Sequence, residues 1–127
     1  MPYYVGIDSG GTKTVALITD GEGNELGSGQ GGSGNIATNL DETLTVSVRT
    51  AFVAACKTAG LSPTTSFSAV CAGVAGYSYE HRRDPYLAIL RSEIHADNYT
   101  LVPDYLAAYW GATEGTPGIV VIAGTWA

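Results

Sequence analysis

The sequence predicts an α/β domain with a mixed five-stranded sheet. The sheet starts with three antiparallel strands, continues with parallel ones, and carries helices on both faces. Two short β-rich runs, Tyr4–Ile7 and Thr14–Thr19, flank the turn-forming stretch Asp8-Ser-Gly-Gly-Thr-Lys13 and read as a hairpin. Downstream, amphipathic helical patterns alternate with short apolar runs, as in strands joined by helical crossovers. Of the 127 residues, 45% are hydrophobic and only 14% charged, which suits one globular domain with a real core and argues against disorder.

Gly10 and Gly11 are read as supplying the positive φ angles of a tight hairpin turn, whose N–H groups can surround an anion. Thr12 and Thr14 add hydroxyls and Lys13 a positive charge. Asp8 ends the first strand, and a carboxylate beside an anion nest makes chemical sense with a cation between them. Mg²⁺ on a polyphosphate meets that need; an ordinary hairpin with Asp8 in a local Asx turn is the alternative. Asp20-Gly-Glu-Gly-Asn24 forms a second turn, and Glu25–Ser28 returns as a third strand. Gly29–Thr38 reads either as a flexible connection or as a loop whose Ser33 and Asn35 bind a polyhydroxylated ligand.

Asn39 with Glu42 predicts a capping-box helix start, and Leu44, Val48, Ala51, Phe52 and Ala55 supply its apolar face. Gly60 is the expected C′ residue, with Pro63 preventing resumption. Phe67–Ala75 is a buried strand, and Gly73 and Gly76 at its end suggest close approach of another group. Asp84-Pro85 predicts a second helix, with Asp84 as N-cap and Leu87, Leu90 and Ile94 as its stripe. Tyr99–Val102 is a short strand, Tyr105–Thr113 an Ala-rich helix, and Ile119–Ala123 a last apolar strand. Asp104 stands where a strand ends. If that strand runs parallel to the first, Asp8 and Asp104 reach one cleft, since ligands of open α/β sheets bind beyond the carboxyl ends of strands. Asp104 as the N-cap of a following helix is the alternative.

Two phosphate-loop patterns are excluded. Gly6 to Gly11 is followed by Thr12 before Lys13, one residue out of step with a Walker loop, and leads into a strand. Gly27-Ser-Gly29-Gln-Gly-Gly32 and Gly29-Gln-Gly31-Gly-Ser-Gly34 satisfy G-x-G-x-x-G, but neither opens directly into a helix. The net charge of −6 argues against a nucleic-acid surface. No apolar run reaches the roughly 18 residues of a membrane span, and the N-terminus lacks a basic, apolar signal. Cys56 and Cys71 read as buried reduced thiols of a cytoplasmic protein. His81 and His95 read as surface residues, and Arg82-Arg83 as a solvated face.

The ordered set Tyr4-Val-Gly-Ile-Asp8-Ser-Gly-Gly-Thr-Lys-Thr14, Gly32-Ser33-Gly34-Asn35, Gly60-Leu-Ser-Pro63, Ala72-Gly-Val-Ala-Gly76, Val102-Pro-Asp104 and Gly118-Ile-Val-Val-Ile-Ala-Gly-Thr125 resembles the sugar kinases of the actin and hexokinase superfamily. The nearest group is the N-acetylglucosamine and glucosamine kinases of the BadF/BadG/BcrA/BcrD ATPase family. That resemblance implies a ribonuclease-H-like N-terminal domain at 1–117 and the first strand of a second domain at 118–127. It implies ATP and Mg²⁺ as cofactors, an amino sugar phosphorylated at its 6-hydroxyl, and roles for individual residues. Asp8 would hold Mg²⁺ through water, with Gly10, Gly11, Thr12 and Lys13 at the first phosphate loop. Ser33 and Asn35 would reach the sugar, and Asp104 would be its general base. Gly124 and Thr125 would open the second phosphate loop, Thr125 also facing the substrate. The sequence departs from the family in Trp126-Ala127, where Gly-Ser is usual, and in Pro103, where Asn or Thr usually precedes the base. It is read as an N-terminal half, one wall of a two-walled cleft, with Ile119–Ala123 as an unpaired edge prone to self-association. Two rival functions are an activator ATPase of 2-hydroxyacyl-CoA dehydratases, which needs cysteines for an iron–sulfur cluster, and a non-catalytic sugar- or nucleotide-sensing module.

Overall fold

A computed structural model of the protein describes residues 2–104, 108–113 and 116–121, the last two stretches by backbone alone. The strands β1 (Tyr3–Ser9), β2 (Thr14–Asp20) and β3 (Glu25–Gly31) lead into helix α1 (Asp41–Ala59). Strand β4 (Ser66–Val74), helix α2 (Arg83–Glu93) and strand β5 (His95–Pro103) follow. They build a five-stranded sheet in the order β3-β2-β1-β4-β5. β1 pairs antiparallel with β2 and parallel with β4, and β4 pairs parallel with β5. The expected mixed sheet, antiparallel first and parallel later, is what forms.

Strand alternation sorts the sheet's two faces. Val5, Ile7, Ile18, Val70 and Val74 point to the face on which α1 and α2 share one core, with Leu44, Val48, Phe52 and Leu90 fully buried there. Cys71, Leu17 and Val102 lie together on the opposite face. Among the described residues, both helices pack on the first face.

The expected α1 stripe, Leu44 to Ala55, is buried throughout. Gly60 closes the helix in the left-handed conformation (φ 72°). Its N–H bonds Lys57 O, while that of Leu61 bonds Cys56 O, which is a Schellman end. The start differs from expectation. Leu40 is the N-cap and no side chain caps it; Asn39 stands one residue too early, and its amide NH2 donates to Ser33 Oγ and Asn35 O instead. α2 likewise starts one residue before Asp84. Asp84 is therefore inside the first turn, and Pro85 falls where a helix amide has no partner to lose. The α2 side chains buried in the core are Tyr86, Ile89 and Leu90, with Leu87 only half-buried.

β3 runs to Gly31, so the first residues of the expected linker are strand. Their glycines serve close packing. A Cβ on Gly27 would lie 2.5 Å from Ala55 O, one on Gly29 2.4 Å from Ala51 O, and one on Gly31 2.2 Å from Ser47 O. Strand period two meets helix period four, and α1 rests on the β3 backbone through its small residues.

The helix expected over Tyr105–Thr113 is overturned. Ala108–Thr113 is strand β6, paired antiparallel with β7 (Thr116–Val121). Tyr109, Trp110 and Thr113 favour a strand there, and Gly111 weakens a helix. Ile119, Val120 and Val121 of the expected unpaired edge pair on one side with Trp110, Tyr109 and Ala108, while residues 122 and 123 lie outside the described residues. β7 runs through the anticipated domain boundary at 117/118. β6 passes beside β1 and β4. Both of those strands already have hydrogen-bonded neighbours on each side, so β6 does not extend the five-stranded sheet.

Gly29→Ala should therefore destabilise the fold by about 1–3 kcal/mol, since helix backbone must shift. Gly11, whose added Cβ would meet nothing within 4 Å, should tolerate Ala within about 0.5 kcal/mol. Urea denaturation of the two variants checks this; equal midpoints would contradict the packing account.

Candidate functional site

The hairpin between β1 and β2 is a four-residue connection, Gly10–Lys13, closed by the Gly10 N–H to Lys13 O (2.9 Å). A loop of this length needs no positive φ. Positive φ among the described glycines falls at Gly23, Gly60 and Gly76, which corrects the expectation for Gly10 and Gly11. Gly11, Thr12 and Lys13 form an exposed tip.

Asp8 is buried, 3% exposed, one residue before the end of β1. Its Cα is in register with Val15 on β2 and Gly73 on β4. Gly73 in turn pairs with Val102 on β5, and Asp104 follows two residues later, half-buried. Because β1, β4 and β5 run parallel, both carboxylates stand at the carboxyl edge of the sheet. Two strand spacings across and two residues along place their Cα atoms about 12 Å apart. Asp104 itself lies in a 3-10 turn, and β6 begins at Ala108, so the helix expected to run on to Thr113 is not there for it to cap.

The segment after β3 is fastened to the hairpin. Ser9 Oγ donates to Gly34 O (2.7 Å) and Thr14 Oγ1 to Gly32 O (2.8 Å). Ser33 Oγ donates to Gly11 O (2.7 Å), and the Gly34 N–H to Gly10 O (2.8 Å). A Cβ on Gly34 would strike Ser9 Oγ at 2.1 Å. Ser47 Oγ, on α1, donates to Ser33 O (2.8 Å). On the other side the Ile36 N–H reaches Ala75 O, and Ala75 N–H reaches Ser9 O. Asn35 sits between these fastenings, its Oδ1 accepting from the Ala37 N–H (2.9 Å). Gly76 (φ 87°) packs so closely that a Cβ would lie 2.7 Å from Asn35 Oδ1. Ser33 and Asn35 are thus brought beside the hairpin, and the Ser33 hydroxyl holds the loop together. Gly124 and Thr125 lie outside the described residues.

Among the described residues no group of three or more His, Cys, Asp or Glu could hold a metal unaided. A cation here would take the Asp8 carboxylate, water and ligand oxygens, a donor set that fits Mg²⁺. Cys56 is in the helix-side core and Cys71 on the opposite face. Both are free, and burial pushes each thiol up to about 11, so neither is a ready metal-binding thiolate.

The residues that sequence reasoning missed are supporting ones. Ser9 is one, the register partner of Thr14 at the hairpin's base; the Thr14 hydroxyl, read as facing an anion, is instead committed to Gly32 O. Arg82 and Arg83 are committed, which corrects their reading as a solvated face. Arg83 Nε donates to Tyr77 O and its guanidinium stacks 3.8 Å above the Tyr77 ring. Arg82 reaches Ile36 O.

Tyr86 comes up from α2 beneath the site. Its hydroxyl is buried with no hydrogen-bond partner in range. Burial pushes its ionisation far above the ordinary phenol value; nearby Ser9 opposes this, and the Asp8 charge adds to it. Ser9 already donates to Gly34 O, and the two hydroxyls do not meet bonding geometry. An orphaned buried hydroxyl costs about 1–3 kcal/mol. Tyr86→Phe should accordingly hold or raise the unfolding free energy in urea denaturation; a loss above about 1 kcal/mol would show that the hydroxyl has a partner.

A model of the BadF/BadG/BcrA/BcrD ATPase family matches residues 5–126. The glucosamine kinase GspK of Vibrio cholerae serotype O1 (strain ATCC 39315 / El Tor Inaba N16961) is 35% identical over 125 residues, which cover 98% of this chain and 42% of that relative. The chain thus spans less than half of that relative's length. The crystal structure of a protein from Chromobacterium violaceum, named provisionally as an N-acetylglucosamine kinase, superposes with a TM-score of 0.65. It is 22% identical and shares the fold, over 84% of this chain and 36% of that one.

Proposed function

The chain belongs to the BadF/BadG/BcrA/BcrD ATPase family, and we propose that it carries the N-terminal part of an ATP- and Mg²⁺-dependent amino-sugar kinase acting on the 6-hydroxyl of glucosamine or N-acetylglucosamine. The observation that carries this reading is the parallel register β1–β4–β5, which sets Asp8 and Asp104 at one edge of the sheet. Carboxylates whose Cα atoms are about 12 Å apart along this edge can flank a phosphoryl group and its acceptor hydroxyl. The loop bearing Ser33 and Asn35 is bonded to the hairpin beside that gap.

In this reading Asp104 accepts the proton of the sugar hydroxyl as it attacks the γ-phosphate. Asp8 orients the metal through water, and the hairpin tip from Gly10 to Lys13 presents main-chain N–H groups and the Lys13 charge to the phosphates. Mg²⁺, when bound, neutralises the charge that develops on the transferring group; the protein's part is mostly positioning. Ser33 and Asn35 face the sugar, and Gly124 and Thr125 continue the phosphate site. The activator-ATPase reading draws no support from Cys56 and Cys71, which are buried on opposite sides of the sheet. A sensing module would not need a base at Asp104.

Two variants of the full-length gene product test these roles. Asp104→Asn should lower turnover by about 10²-fold or more with sugar binding largely kept, because a base acts in the transition state. Near-parental turnover in a coupled ADP-release assay would refute the assignment. Asp8→Ala should raise the Mg²⁺ and ATP requirements far more than the sugar KM, and equal losses on both sides would point to damaged folding instead.

A further inference from the structure

We propose that Arg82 is a positioning residue for the loop Ser33–Asn39, and through it for the sugar. The inference rests on the reading that Ser33 and Asn35 face the sugar. Arg82 ends the short 3-10 turn Glu80–Arg82 that follows β4 and precedes α2. Its guanidinium spans to a segment more than 40 positions earlier. Nε donates to Ile36 O at 2.8 Å. One terminal nitrogen donates to Asn39 O at 3.3 Å and to Asp41 Oδ1 at 2.6 Å. Its side chain is 21% exposed, whereas that of Asp41 is 57% exposed.

These three bonds divide by worth. The Asp41 pair is largely in water and contributes little. The two main-chain carbonyls are a different matter, because they bracket the turn from Ile36 to Asn39 with a rigid, planar fork that Lys cannot reproduce. The loop has two other fastenings. Ser33 and Gly34 tie its start to the hairpin, and the buried Ile36 ties its middle to Ala75 through the main chain. Asn39 also folds back on Ser33 Oγ and Asn35 O. Arg82 therefore holds the carbonyl of a residue whose amide in turn orients Ser33. Without Arg82 the far side of the turn is free to swing, and Asn35 and Ser33 lose their fixed spacing. The nucleotide side of the site, built on Asp8 and the hairpin tip, does not depend on it.

The test compares Arg82→Ala, Arg82→Lys and Asp41→Asn in the full-length gene product, with glucosamine or N-acetylglucosamine as the varied sugar. Arg82→Ala should raise the sugar KM about tenfold or more, with kcat and the ATP KM within about twofold. Arg82→Lys should resemble Arg82→Ala, and Asp41→Asn should resemble the parent. Amide hydrogen exchange on the same proteins should show residues 34–39 exchanging about tenfold faster in Arg82→Ala, with β1 and the centre of α1 unchanged. Unchanged exchange at 34–39 would overturn the fastening whatever the substrate is. Rescue by Arg82→Lys, or a uniform loss in kcat, both KM values and stability, would make Arg82 a scaffold residue and overturn the proposal. A parent enzyme inactive on every amino sugar would instead refute the function proposed above, and the exchange data would still decide whether Arg82 fixes the loop.

Discussion

The main-chain clasp between the hairpin and the segment after β3 is the constraint on which the rest of the site depends. Ser9, Thr14 and Ser33 hydroxyls each bond a carbonyl across it, and the Gly34 amide adds a fourth bond. Each such bond is worth about 1 kcal/mol net; the Ser9–Gly34 bond is buried, so leaving that one unmade would cost more. The clasp forms only because α1 lies almost on the β3 backbone. That approach puts Ser47 within reach of Ser33 O and leaves the chain no slack between strand and helix. Glycine at 27, 29 and 31 is thus the sequence-level cause of a loop placed beside the hairpin.

Much of the fold was legible in the sequence. The hairpin, the α1 stripe, the Gly60 end and the order of strands and helices as far as β5 follow from periodicity and turn chemistry, and all are local signals. The glycine-rich stretch was not legible as packing. Composition there suggests flexibility, and the meaning emerges only when Gly27, Gly29 and Gly31, at strand spacing, are matched with Ser47, Ala51, Ala55 and Ala59, at helix spacing. That match joins two segments about 20 residues apart, which no local window sees. Asn39 misled for a related reason. Its spacing to Glu42 suits a capping box, yet the helix begins one residue later, after Leu40, and the Asn39 amide NH2 is held in the loop by Ser33. In Ala108–Thr113 the alanines suggested a helix, whereas pairing with β7 decides the conformation.

The candidate site was legible in part. Asp8 at a strand end, Gly73 at the end of an apolar run and Asp104 after a strand could all be picked out, and the parallel register then brought the two carboxylates to one edge. The supports could not be seen. Arg82 beside Arg83 has the look of a solvated face, and nothing in its neighbourhood marks it as bound to a carbonyl at Ile36. Tyr86 is an ordinary core aromatic by pattern, and its position under Ser9 and Asp8 is a product of how α2 packs.

These two kinds of support behave differently under mutation. The carboxylates are placed by strand register, which is quantised: a slip by one residue would send Asp8 to the helix-covered face and turn Val5 and Ile7 away from it. Small packing changes therefore leave their spacing alone, and only disruption of the sheet moves them. The Ser33–Asn39 loop is placed by individual hydrogen bonds and glycine contacts, each of modest strength and each separately replaceable. Changes there can shift side chains by fractions of an ångström without unfolding anything. On the proposed reading, the invariant part of phosphoryl transfer would rest on the sheet. Choice among related sugars would rest on the loop, where a substitution in a fastening such as Arg82 alters fit without touching the sugar or the reacting atoms.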